Sequence, residues 1–289
     1  MTGLLWSGAY RDSPRIQAAW LGNDLVTLVV ALPLLLVGLV FAKRGETSGR
    51  LLVAGVLSYV VYNSAFYLLG ATLNIFFPLY AVIFVIGILA FVSMHRTLDS
   101  RSVARAFPPD TPARLLGAEL FLIGAALCGT WLAMWAAHVF KGVPTPVQPD
   151  KFRLVAALDL TCVVPALTIG GGLLWRRKAL GYVIAPIGSL FAALYLLVLS
   201  AGSAVVIGEG LAQAPGELPI WLGLFVVMVG IAGTLFANVD PSGFVAGDNS
   251  AGAPNTQRTL GWTQGSSAVS EKDPPGTTYA FVTARRRSP

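Results

Sequence analysis

Seven apolar runs, each close to the length needed to cross a bilayer, constrain this chain more than any other feature of its sequence. A hydrocarbon core is about 30 Å thick and a helix rises about 1.5 Å per residue, so a span takes roughly 20 residues. The runs fall near 24–42, 51–69, 73–94, 115–137, 154–175, 179–200 and 218–238. The apolar stretch 51–94 is too long for one crossing, and Gly70, Ala71, Thr72 and Asn74 supply a small, turn-compatible break, which predicts a tight helical hairpin with Asn74 as a turn or cap residue. With 55% hydrophobic and 12% charged residues and a mean hydropathy of +0.70, most of the chain must face lipid rather than water. The expected fold class is therefore all-α, a polytopic membrane helical bundle of about seven transmembrane helices.

The segment before the first run carries Arg11, Asp12, Ser13, Pro14 and Arg15 where a cleavable leader would have its apolar core, so the first run is expected to stay as an anchor. Lys and Arg are unevenly shared between the two sets of alternate loops. One side collects Lys43, Arg44, Arg50, Arg96, Arg101, Arg105, Arg114, Arg176, Arg177 and Lys178; the other has Arg11, Arg15, Lys141, Lys151 and Arg153. Ten against five, with the distant tail left out, places the first set in the cytoplasm and the N-terminus outside, as in a multi-pass protein of the cell membrane. The same bias accounts for a net charge of +6, so nucleic acid is not an expected partner; the lipid bilayer is.

Three regions follow. Residues 1–23 form an extracytoplasmic segment in which 14–21 suits an interfacial helix with Ile16 and Trp20 toward lipid, residues 24–238 form the seven-helix domain, and residues 239–289 form a cytoplasmic tail. The tail turns to Gly, Ser, Thr, Pro, Asn and Gln, a composition with too little apolar surface to offset ordering entropy, and is expected to be disordered. No internal repeat is evident.

Polar side chains inside the runs are the remaining signal, because each is costly in hydrocarbon. Asp159 is the sharpest. The chain runs inward from Lys151, which puts Asp159 roughly 8 to 10 Å beneath the outer surface, facing a cavity or a partner such as Arg153 or a Tyr or Asn of another helix. In the second run Tyr59, Tyr62, Asn63, Phe66 and Tyr67 recur at helical spacing and share a face. In the fourth, Trp131, Trp135 and His138 do the same near the outer boundary, where an interfacial aromatic belt is the plainer explanation. Asn23 and Asp24 stand where an N-cap and a first-turn acid would begin the first span. Pro33, Pro78, Pro165 and Pro186 are expected to kink their spans, and Gly181, Ala185, Gly188, Ser189 and Ala192 to form a close-packing face on the sixth.

The candidate ligand-binding residues are thus Tyr62, Asn63, Tyr67, Trp135, His138 and Asp159, surrounding an outward-facing polar and aromatic pocket for a small molecule, ion or lipid head group. Asp159 would supply charge, Tyr62, Asn63 and Tyr67 would orient the ligand, and Trp135 with His138 would line the mouth. The alternatives are an intramembrane enzyme using Asp159 and His138 as acid and base, or a structural subunit of a membrane complex. No metal or cofactor is expected. The two histidines, His95 and His138, fall on opposite predicted sides, the two cysteines sit in apolar runs without a metal-type spacing, and the seventh run has no lysine for a retinal Schiff base.

Overall fold

Proline at the first or second helical position opens helices at Pro14, Pro78, Pro149 and Pro219, where its missing N–H costs nothing because the first donors of a helix have no internal partner. The structure, a computed structural model, describes residues 10–211 and 216–240. Among them are seven helices long and apolar enough to cross a membrane: α1 Pro14–Lys43, α2 Thr47–Gly70, α3 Phe77–Arg96, α4 Ala113–Lys141, α5 Pro149–Trp175, α6 Gly181–Gly208 and α7 Leu218–Ala237. No strand occurs among the described residues, so the all-helical, multi-pass fold class holds.

Helix α1 corrects the expected boundary at residue 24. It starts ten residues earlier, and Asn23 and Asp24 lie within it rather than at its cap. Trp20 does not face lipid either. It is 3% exposed and stacks on Tyr67, with ring centroids 4.5 Å apart, inside an aromatic cluster with Tyr10 and Tyr80. The polar residues Asn23 and Asp24 face α2, so their hydropathy does not mark the end of the helix.

Helices α2 and α6 form the centre. Each packs on the other, α1 lies against both, α3 covers α2, α7 covers α6, and α4 lies along α5. Small residues allow these approaches. A Cβ on Gly22 would stand 2.5 Å from Gly202 N, and one on Gly117 would stand 2.7 Å from Gly171 O, so α1 with α6 and α4 with α5 meet backbone to backbone. The expected small face of α6 packs closely as well, since a Cβ on Gly181 would press on the backbone of Leu174.

Pro33 and Pro165 each follow a π turn, Thr27–Ala31 in α1 and Asp159–Val163 in α5. A proline inside a helix removes one hydrogen bond and crowds the preceding turn, and a wider turn accommodates both. Pro78 instead opens α3, and the α2–α3 connection is the predicted hairpin: Asn74 Oδ1 accepts the Phe76 N–H at 2.9 Å.

The two π turns belong to an internal repeat that the sequence alone does not reveal. A constant shift of 132 positions carries Pro33 onto Pro165, Gly38 onto Gly170 and Gly49 onto Gly181. It also carries contacts onto contacts. A Cβ on Gly38 would meet Leu52 and Val53, and one on Gly170 would meet Ile184 and Ala185; Gly49 abuts Phe41 and Ala42, and Gly181 abuts Leu173 and Leu174. The turns between α1 and α2 and between α5 and α6 match too, with positive φ at Gly45 (86°) and Arg177 (50°) and corresponding bonds Glu46 N–H to Phe41 O and Lys178 N–H to Leu173 O. Three helices, a linking helix α4 and three further helices is thus the arrangement.

Beyond α7, Val239 is buried in the core and the Asp240 N–H donates to Ala106 O at 2.8 Å, fastening the chain beside the short helix Ser100–Arg105. The expected disordered tail lies, from residue 241 on, outside the described residues.

Candidate functional site

The π turn that opens at Asp159 sets this side chain toward α2, α4 and α6 together. The Tyr62 hydroxyl donates to Asp159 Oδ1 at 2.6 Å, Trp131 Nε1 donates to Oδ2 at 3.0 Å, and the Tyr195 hydroxyl reaches Oδ2 at 3.5 Å. Asp159 is 2% exposed, so an acid that water would otherwise solvate depends on these three donors. The rings pack as well: Tyr62 stands 4.9 Å from Tyr195 and 5.3 Å from Phe191, centroid to centroid.

Beside this network is a cavity of about 680 Å³ between α4, α5, α6 and α7. Its walls are largely apolar, with Trp131, Phe152, Tyr195 and Trp221 contributing rings. Asp159 lies on its wall, and Glu217, Pro146 and Val147 line it at the end of the bundle where α1, α5 and α7 begin. No Lys, Arg or His is among the described residues that line it.

Of the six residues expected to share one pocket, Asp159 alone lines this cavity, and Tyr62 adjoins it through its bond to Asp159. Asn63 and Tyr67 turn to α1 instead. Asn63 accepts from Asn23 Nδ2 at 2.7 Å and donates to Tyr59 at 3.3 Å, while Thr27 and Tyr59 share a hydrogen bond of 2.7 Å. Tyr67 donates to Asp24 Oδ1 at 2.9 Å, and Tyr10 donates to Oδ2 at 2.8 Å. The expectation that Asp24 is a first-turn acid is thereby corrected: it is a buried acceptor at the α1–α2 contact.

Trp135 and His138 do not line the mouth. Trp135 is half exposed and meets Phe140 edge to face, and exposed His138 bonds through Nδ1 to Val143 O, closing the last turn of α4. His138 also stands about 10 Å along the helix axis from Trp131, the residue of α4 that bonds Asp159. The acid–base pair Asp159 and His138 therefore has no support in the geometry. Arg153 is no partner of Asp159 either; it pairs with exposed Asp150 at 3.5 Å.

A second polar cluster caps the same end. Buried Asp12 accepts from Trp20 Nε1 at 3.1 Å, from Thr72 Oγ1 at 2.8 Å and from the Thr72 N–H, and it pairs with Lys151 Nζ at 3.5 Å. Lys151 also donates to Gly70 O. Tyr195, Asn23, Thr27 and Asp12 were not singled out from sequence as site residues. Tyr195 offered a signal, a tyrosine inside the sixth run, whereas Asp12 resembled an ordinary loop acid.

Every buried side-chain nitrogen and oxygen among the described residues has a partner, and no cluster of three or more His, Cys, Asp or Glu suited to a metal occurs among them. Compared with protein families, curated proteins and solved structures, the chain matches none.

Proposed function

We propose that this multi-pass protein lies in the cell membrane with its N-terminus outside, and that its cavity opens outward and binds an apolar organic cation. The observation that carries the reading is the lining of the 680 Å³ cavity: apolar walls with Asp159 and Glu217 as acids and, among the described residues, no basic side chain. A volume between about 300 and 1,000 Å³ suits a drug-sized ligand. A cation in that space would gain from the nearby acid and from the faces of Trp131, Tyr195 and Trp221, because an aromatic ring attracts positive charge. An anion would meet two acids and, among the described residues, no counter-charge. The outward direction is supported by the distribution of Lys and Arg, since the lining residues Pro146, Val147 and Glu217 stand at the end of the bundle that carries the less basic set of loops.

The test is a titration of the purified protein in detergent with 1-methyl-4-phenylpyridinium, followed by tryptophan fluorescence. The expected result is saturable quenching that Asp159→Asn weakens about tenfold, equivalent to about 1.4 kcal/mol, with a retained cooperative melt and unchanged helical content as the check on folding. Equal affinity for uncharged 4-phenylpyridine at neutral pH, or an unaffected Asp159→Asn variant, would sink the proposal.

A further inference from the structure

The internal repeat bears on what happens to a ligand after it binds. Helices α1 and α5 run in the same direction, as do α2 and α6, so the axis relating the halves runs along the bundle rather than across it. The packing has the reciprocity such an axis requires: α2 and α6 meet at the centre, α1 of the first half lies on α6 of the second, and the start of α5 lies on α2. The halves correspond down to the polar groups. Under the shift of 132, Thr27 and Asn63, 3.5 Å apart, become Asp159 and Tyr195, also 3.5 Å apart. One half thus places a neutral pair where the other places an acid.

The boundary between the halves is bridged at two places. The Asp159 network crosses it, because Tyr62 belongs to α2 and its acceptor to α5. At the end where Pro146, Val147 and Glu217 line the cavity, Lys151 of α5 binds Asp12 and Gly70 of the first half. Many carriers are built as duplicated membrane bundles, some with parallel halves, in which interrupted helices occupy matched positions and substrate sits by the interface of the repeats; here the cavity lies among α4 and the helices of the second half and reaches that interface at Asp159. Here the matched interruptions are the π turns followed by Pro33 and Pro165, and one of them opens at Asp159.

We infer that this chain is a carrier: its two three-helix halves rock against each other about the Asp159 contact, and the Asp12–Lys151 pair is the latch that holds their outer ends together. The inference rests on the proposed cation site. It predicts that holding the latch shut stops transport while leaving binding intact, which a passive binding protein or an open pore would not show.

The experiment uses the full chain in proteoliposomes, with Cys128 and Cys162 replaced by serine, and labelled 1-methyl-4-phenylpyridinium as probe. Protein-containing vesicles should show counterflow of the probe above that of empty vesicles. In the Asp12→Cys, Lys151→Cys variant, a reducible bis-thiosulfonate cross-linker should lower counterflow at least tenfold, and reductant should restore it, while quenching affinity in detergent changes less than threefold. Where that variant fails to fold, Leu73→Cys with Asp150→Cys serves instead. Both positions are exposed and neighbour the latch on opposite halves. Quenching without counterflow, or counterflow indifferent to the cross-link, overturns the carrier and leaves the binding site standing. Absence of quenching overturns the cation site and the carrier with it.

Discussion

The Tyr62 hydroxyl meets Asp159 at 2.6 Å although 97 positions of chain separate them, and the bond joins the two halves of the bundle. Tyr195 approaches the same carboxyl group at 3.5 Å. A hydrogen bond to a charged group contributes about 1.5 to 3 kcal/mol, and one stretched to the limit contributes less. Tyr62→Phe is therefore expected to lower stability by about 2 kcal/mol and Tyr195→Phe by under about 1 kcal/mol, on the same scale. Thermal melts in detergent check the order. In an Asp159→Asn background the difference between the two should shrink, and a difference that persists would mean that ring packing, not the bond, sets the cost.

Close packing at glycine makes a separate prediction with its own control. A Cβ on Gly22 would press on the backbone of Gly202, which cannot turn aside as a flexible side chain can. Gly22→Ala should thus cost about 1 to 3 kcal/mol through forced separation of α1 and α6. Gly129 in α4 and Gly223 in α7 have open space at the corresponding point. Alanine there should be neutral or mildly stabilising, up to about 1 kcal/mol, because it favours the helix. Equal melting temperatures for all three variants would show that α1 and α6 are not held at the described distance.

At the latch the two partners are unequal. The Asp12 side chain is 2% exposed and the Lys151 side chain 26%. Removing the acid strands Trp20 Nε1 and both donors of Thr72, whereas removing the lysine leaves the acid with those three. Asp12→Ala is accordingly expected to cost about 2 to 4 kcal/mol and Lys151→Met about half that or less. Limited proteolysis of the connection between α2 and α3, compared between the two variants, reports the loss locally. Greater sensitivity in Lys151→Met than in Asp12→Ala would contradict the assignment.

These residues also show what the sequence discloses. The seven spans were legible because mean hydropathy over about 20 residues is a one-dimensional signal that needs no partner. The start of α1 was not, since Asn23 and Asp24 read as surface until α2 supplies Tyr59, Asn63 and Tyr67 opposite them. Asp159 stood out through the cost of its burial, yet nothing local told which helices would answer it. On α4, Trp131, Trp135 and His138 do share a face, but the cover over that face ends: Trp131 packs on Phe152, whereas Trp135 projects beyond. The repeat was hidden for a similar reason. Its halves agree in where glycine and proline permit backbone approach, while the lipid-facing positions between them are free to vary among apolar residues.

Orientation offers the last test. Crossing a membrane with Lys and Arg is costly enough that the side richer in them stays in the cytoplasm, and here the richer side holds the loops following α1, α3 and α5. Exposed Gln148, between α4 and α5, should then lie outside, and exposed Asp110, between α3 and α4, inside. Cysteine placed singly at each site, with Cys128 and Cys162 changed to serine, can be challenged in intact cells with a maleimide that does not cross the bilayer. Labelling at 148 should exceed that at 110 at least tenfold, and permeabilisation should equalise them. The reverse pattern would invert the bundle and turn the Asp159 cavity toward the cytoplasm, so that a cation reaching it would come from within the cell.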